Sequence, residues 1–130
     1  MENTTEEILN ELNNFSGTEN YYKASFLYDL NLTDGIKFLC EKASCYWLID
    51  IIGSVQHKPL IRKNSDFIIW EIKRDGKGFI VKAYSDYNKE DEQFNKANTL
   101  YVQKGEYTDF PLNDFQFYQN GKVLLLKGEY

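Results

Sequence analysis

Histidine occurs once in this chain of 130 residues, cysteine twice, proline twice and methionine once. Each shortage excludes something. A Ser–His–Asp arrangement could use only His57, and no nucleophile elbow accompanies it. Cys40, Cys45 and His57 are too few and too badly spaced for a structural zinc site, so no metal is expected. There is no P-loop, and Gly76-Lys77-Gly78 lacks the third glycine of a dinucleotide fingerprint because position 81 is valine. No cofactor is expected either. On one continuous helix Cys40 and Cys45 point to different faces, which argues against an internal disulfide. With no apolar signal segment ahead of the acidic start, the thiols read as reduced, buried small hydrophobes, and the expected setting is cytoplasmic.

Basic residues are also absent where a polyanion binder would want them. Residues 1–20 hold Glu2, Glu6, Glu7, Glu11 and Glu19 with no lysine or arginine, and the rest balances 15 acids against 15 bases. The net charge of −5 therefore belongs to the N-terminus. The short cluster His57, Lys58, Arg62 and Lys63 reads as compensation of a helix end, so nucleic acid is not expected as a partner. No uninterrupted apolar run is long enough to cross a bilayer, and Asp34, Lys37, Glu41, Lys42 and Asp50 break the longest candidate. No membrane partner is expected.

That candidate, residues 33–55, organises what is present. Thr33 can cap a helix and Asp34 sits at its positive end. Ile36, Leu39, Cys40, Ala43 and Trp47 form one apolar stripe at helical spacing. Cys45, Leu48, Ile49, Ile52 and Val55 form a second stripe on a different face. Either the chain bends near residues 43–45, which is favoured, or one straight helix is gripped on opposite sides. Upstream, Thr4-Thr5-Glu6-Glu7 fits a capping box for an acidic helix over residues 1–14, with a narrow stripe of Ile8, Leu9 and Leu12. That helix is expected to be the least anchored element. Residues 21–31 fit either a short helix or an irregular aromatic segment.

Downstream the period changes to two. In Asp66-Phe-Ile-Ile-Trp-Glu-Ile-Lys73 the side chains of Ile68, Trp70 and Ile72 share a face. A turn at Arg74-Asp75-Gly76-Lys77 leads to alternating Phe79, Val81 and Ala83. Residues 56–65 read as a loop containing Pro59, and residues 86–98 as a polar, mobile one. A strand is expected over residues 99–103, and Asn120-Gly121 marks a type I′ hairpin. The fold class is α+β in a single domain, residues 1–130, with N-terminal helices packed on one face of a four- to five-stranded antiparallel sheet spanning residues 66–126.

One chemical constellation survives. If the helix continues to residue 57, Tyr46, Asp50, Ser54 and His57 lie on one stripe, and an Asp that orients a His is a recurring catalytic unit. A wet helix edge, or one carboxylate held by hydroxyls, is the commoner meaning of such a stripe, and the structural role is preferred for Asp50. Asp34 with Asp109 is a second, weaker carboxylate pair. Aromatics make up 16% of the chain, and Tyr21, Tyr22, Trp70, Tyr107 and Phe110 are the candidates for contact with a partner.

Phe15-Ser-Gly-Thr-Glu-x-Tyr-Tyr22, Leu32-Thr-Asp-Gly-Ile-Lys-Phe-Leu39, Tyr46-Trp-Leu-Ile-Asp-x-Ile52, Tyr107-Thr-Asp-Phe-Pro-Leu112 and Val123-Leu-Leu-Leu with the terminal Glu129-Tyr130 occur in this order. Together they resemble a family of small uncharacterised proteins encoded by bacteria and by their phages and plasmids. The resemblance covers nearly everything after Asn14 and implies a setting but no mechanism and no catalytic residues. The leading expectation is a non-enzymatic protein-interaction or inhibitory accessory module. The alternative is a small enzyme using Asp50 and His57, or Asp34 and Asp109.

Overall fold

The structure, a computed structural model, describes residues 5–25, 28–85 and 99–130. The polar stretch 86–98 and the proposed cap Thr4 lie outside the described residues. The chain begins with α1 (Thr5–Leu12), followed by two short strands, β1 (Tyr21–Lys23) and β2 (Asn31–Thr33). Three helices follow: α2 (Asp34–Lys42), α3 (Tyr46–Ser54) and α4 (Pro59–Lys63). The remaining strands are β3 (Ile68–Asp75), β4 (Gly78–Tyr84), β5 (Thr99–Gly105), β6 (Asp114–Asn120) and β7 (Val123–Leu125), and a 3-10 turn over Lys127–Glu129 ends the chain.

The expected bend is present, and its cause is specific. Ala43 N–H donates to Leu39 O at 2.9 Å and Cys45 N–H to Cys40 O at 3.1 Å, while Ser44 takes a φ of 52°. This is a Schellman ending with a left-handed residue just past the helix. It also brings the two thiols, both fully buried, to the same side of the turn, where the Cys45 thiol bonds to Leu39 O at 3.8 Å. The different-faces argument held for a continuous helix only. Both cysteines are free.

The α+β class holds, but the sheet is larger than expected and mixed. Its seven strands run β1-β2-β7-β6-β3-β4-β5. All neighbours are antiparallel except β2 and β7, which run parallel with Leu32 opposite Leu124. Alternation then sorts the side chains. Ile68, Trp70 and Ile72, with Phe79, Val81, Ala83, Phe117 and Leu124, join the helices in one core. Ile69, Tyr84 and Leu125 are buried outside that core, on the opposite face. Two tight turns depend on glycine. Gly76 (φ 61°) joins β3 to β4, and Gly121 (φ 63°) joins β6 to β7. Because Asn120 pairs with Val123 and only Gly121 in that turn has positive φ, the turn is of the Gly-x kind rather than the expected type I′.

Two other expectations are corrected. Helix α4 occupies the supposed loop 56–65. Pro59 stands at its first position, where a missing N–H costs nothing, and Ile61 is fully buried. Helix α1 is not loosely held: Ile8 (2% exposed) and Leu12 (6%) belong to the main core, and only Leu9 faces out. The Thr5 hydroxyl adds a bond to Pro111 O at 2.7 Å.

Candidate functional site

The quoted sequence motifs meet one another in the fold, and their bonds are structural. Thr33 caps α2, its hydroxyl accepting from Ile36 N–H at 3.3 Å. Asp34 accepts from Glu19 N–H at 3.0 Å, and Asp34 N–H donates to the Thr18 hydroxyl at 2.9 Å. The Glu19 N–H, foremost, holds the Asp34 carboxyl below its ordinary range, and Asp34 in turn raises the Tyr22 phenol. Tyr22 is half-buried, with the Lys37 ammonium 4.6 Å from its ring centre. The terminal Glu129 docks on the same helix end. Its Oε1 accepts from the Thr33 hydroxyl at 2.6 Å and from Leu126 N–H at 2.9 Å, and its Oε2 from Gly35 N–H at 3.1 Å. A carboxylate at a helix N-terminus answers both the unpaired N–H groups and the dipole.

Asp34 is therefore a hook for the β1 approach, and no bond joins it to Asp109 among the described residues. Two of the five aromatic candidates are withdrawn: Trp70 and Phe110 are fully buried and have no surface to offer a partner. Trp70 sits on the core face of a central strand, donating its Nε1–H to Gln119 Oε1 at 2.9 Å. Phe110 is held by the bond from its N–H to the Thr108 hydroxyl at 3.0 Å. Tyr21 (62% exposed) and Tyr107 (72%) do face outward.

A different set of residues forms an open cleft of about 530 Å³ at the end of α3, lined by Tyr28, Asp50, Gly53, Ser54, Gln56 and His57. Three members of the predicted stripe, Asp50, Ser54 and His57, are brought together here, while Tyr46 is not in the cleft. The hydroxyl that holds Asp50 comes from Tyr28, twenty-two residues upstream, and donates to Oδ1 at 2.8 Å. The Tyr28 ring lies against Gly53, where an added Cβ would meet ring carbons at 2.5 Å. Burial, then the bond to Asp50, raises the Tyr28 phenol well above its ordinary value, so it stays a protonated donor. Sequence reasoning had no signal for Tyr28, because no local period links residues 28 and 50.

The cleft residue Gln56 is fixed to the sheet. Gln56 Nε2 donates to Gln119 Oε1 at 3.0 Å, and Gln119 Nε2 returns a bond to Gln56 Oε1 at 2.8 Å. Gln119 is fully buried and also bonds Gly121 O at 2.8 Å, so its amide is saturated. The Ser54 hydroxyl donates to Ile51 O at 2.7 Å, a local helix bond rather than an activated nucleophile. His57 is exposed at the rim and shares no hydrogen bond with Asp50 among the described residues. No group of three His, Cys, Asp or Glu side chains suited to a metal occurs among the described residues. Nor is any helix there long and apolar enough to cross a membrane.

These features define a small α+β domain in which a seven-stranded mixed sheet shares its core with four helices and a cleft opens at the end of the third helix. The chain belongs to a family of unknown function, DUF6876, whose model matches residues 6–130. No curated protein and no solved structure matches it.

Proposed function

We propose that this chain works by binding rather than by turnover, as a protein-interaction or inhibitory accessory module acting in the cytoplasm of a bacterium or on behalf of a phage or plasmid. The partner is another protein, and the contact is made at the α3 cleft. One observation carries this reading: the cleft's polar groups are already engaged in structural bonds. Tyr28 is tied to Asp50, Ser54 to its own helix, and Gln56 to Gln119. Acid–base or nucleophilic chemistry needs a base within reach of the proton it moves, and among the described residues no bond joins Asp50 to His57 to orient such a base. What remains accessible is shape, one carboxylate oxygen and an imidazole rim, together with the outward rings of Tyr21 and Tyr107, which suit recognition.

The test is capture from a native host lysate on immobilised chain. Wild type and a Glu41→Arg control on the exposed side of α2 should retain the same protein, and Asp50→Arg should lose it. The binding reading fails if Asp50→Asn and His57→Ala both leave the melting temperature and the captured proteins unchanged yet abolish the cellular phenotype. That pair of results would restore the enzyme built on Asp50 and His57.

A further inference from the structure

Helix α3 ends without electrostatic compensation. Its last turn contains no basic residue, and Asp50 stands one turn before Ser54, adding a carboxylate to the negative end of the helix dipole. No bond to the Ser54 carbonyl occurs among the described residues: the i+4 donor, Lys58 N–H, goes to Val55 O, and His57 N–H makes none to it. Asp50 Oδ1 is taken by Tyr28, which orients the carboxylate and leaves Oδ2 without a partner among the described residues. The nearest cation in sequence, Lys58, is turned away, with its Nζ 5.9 Å from the Tyr101 ring centre. Two residues that line the cleft thus keep an acceptor to spare, the Asp50 carboxylate and the Ser54 carbonyl at the negative end of the helix.

We propose that the cleft receives the guanidinium of an arginine from a protein partner. The inference rests on the binding reading above and names the chemistry of the side chain that enters. A guanidinium presents planar, forked donors, so one edge can bond Asp50 Oδ2 while another N–H reaches the Ser54 carbonyl. The Tyr28 ring, packed on Gly53, forms a flat apolar wall beside which the guanidinium plane and its methylene stem can lie. An ammonium offers the same charge without the fork, and an anion would meet the carboxylate and the helix end with the wrong sign.

The experiment uses the isotopically labelled full chain and Nα-acetyl-arginine N-methylamide as probe, followed by amide shifts. Saturable shifts should cluster on Gly53, Ser54, Gln56 and His57. Binding should weaken at least fivefold in Asp50→Asn, a variant whose oxygen still accepts from Tyr28 and which should stay folded with a lowered melting temperature. Raising the salt to half-molar should weaken binding in wild type and change little in Asp50→Asn. Equal binding by Asp50→Asn, equal shifts from the uncharged acetyl-norvaline analogue, or equal affinity for the acetyl-lysine probe would each overturn the assignment. If the arginine probe fails while Asp50→Arg still loses the captured protein, the cleft binds and only the guanidinium is wrong.

Discussion

Replacing Glu129 by glutamine tests how the end of the chain closes the fold. The carboxylate accepts three bonds, from the Thr33 hydroxyl, Leu126 N–H and Gly35 N–H. Glutamine keeps one acceptor oxygen and turns the other into a donor. If its oxygen replaces Oε1, its amide group faces Gly35 N–H, donor against donor. The space is tight, since a Cβ on Gly35 would run into Leu126 Cδ1 and Glu129 Oε1, so little rearrangement can relieve the conflict. An unsatisfied, partly buried donor costs about 1–3 kcal/mol. Losing the negative charge at the start of α2 costs about 0.3–1 kcal/mol more. We expect Glu129→Gln to destabilise the protein by about 2–3 kcal/mol, a fall in melting temperature of roughly 6–12 °C for a chain of this size. Urea unfolding followed by the fluorescence of Trp47 and buried Trp70 measures it. Thr33→Val removes the hydroxyl that both donates to Glu129 and caps α2, so a double-mutant cycle should give a coupling of about 1 kcal/mol. A cost below about 0.5 kcal/mol for Glu129→Gln, or a coupling near zero, would refute the idea that this carboxylate locks the terminus.

Three further outcomes follow from particular residues. Ser44→Gly should stabilise the fold by about 0.5–1 kcal/mol in denaturant titrations, because exposed Ser44 sits at a φ of 52° that glycine adopts without strain; a destabilisation would show that the Ser44 side chain contributes there. Ile8→Ala should cost about 2–5 kcal/mol, as for a core position; a near-neutral result would return α1 to the loosely held role first expected. Tyr28 and Tyr84 are both raised, chiefly by burial and further by Asp50 and Glu71, with Tyr84 pushed up to about 12. Their stabilising share is complete below the ordinary phenol value of 10.0 and is lost as pH rises through the higher folded values, so Tyr84→Phe should flatten the alkaline limb of stability against pH; an unchanged limb would contradict the shift.

Much of the local structure was legible in the sequence. The alternation of Ile68, Trp70 and Ile72 marked a strand with one core face, and the change of apolar stripe near residues 43–45 marked the bend between α2 and α3. Thr33 could be read as a cap, and the two glycine turns could be placed. These features depend on neighbours within four residues, where the helix and strand periods act directly. Trp70, expected to contact a partner, instead lies fully buried on that core face.

Tertiary contact decided the rest. Segments of three residues such as Tyr21–Lys23 and Asn31–Thr33 have too few positions to show a period, and they become strands only because Leu32 pairs with Tyr22 on one side and with Leu124, far along the chain, on the other. Helix α4 exists where polar composition suggested a loop, because burial of Ile61 outweighs the weak propensity of a short segment. In the candidate site the sequence supplied Asp50, Ser54 and His57 as one stripe, yet the partner that orients Asp50 is Tyr28 and the anchor of Gln56 is Gln119. Glu129 acquires its role from a helix end ninety-four residues earlier in the chain. Which donor meets which acceptor across such separations is set by how the sheet orders its strands and by what must be buried or bonded once it has, and no local period encodes that.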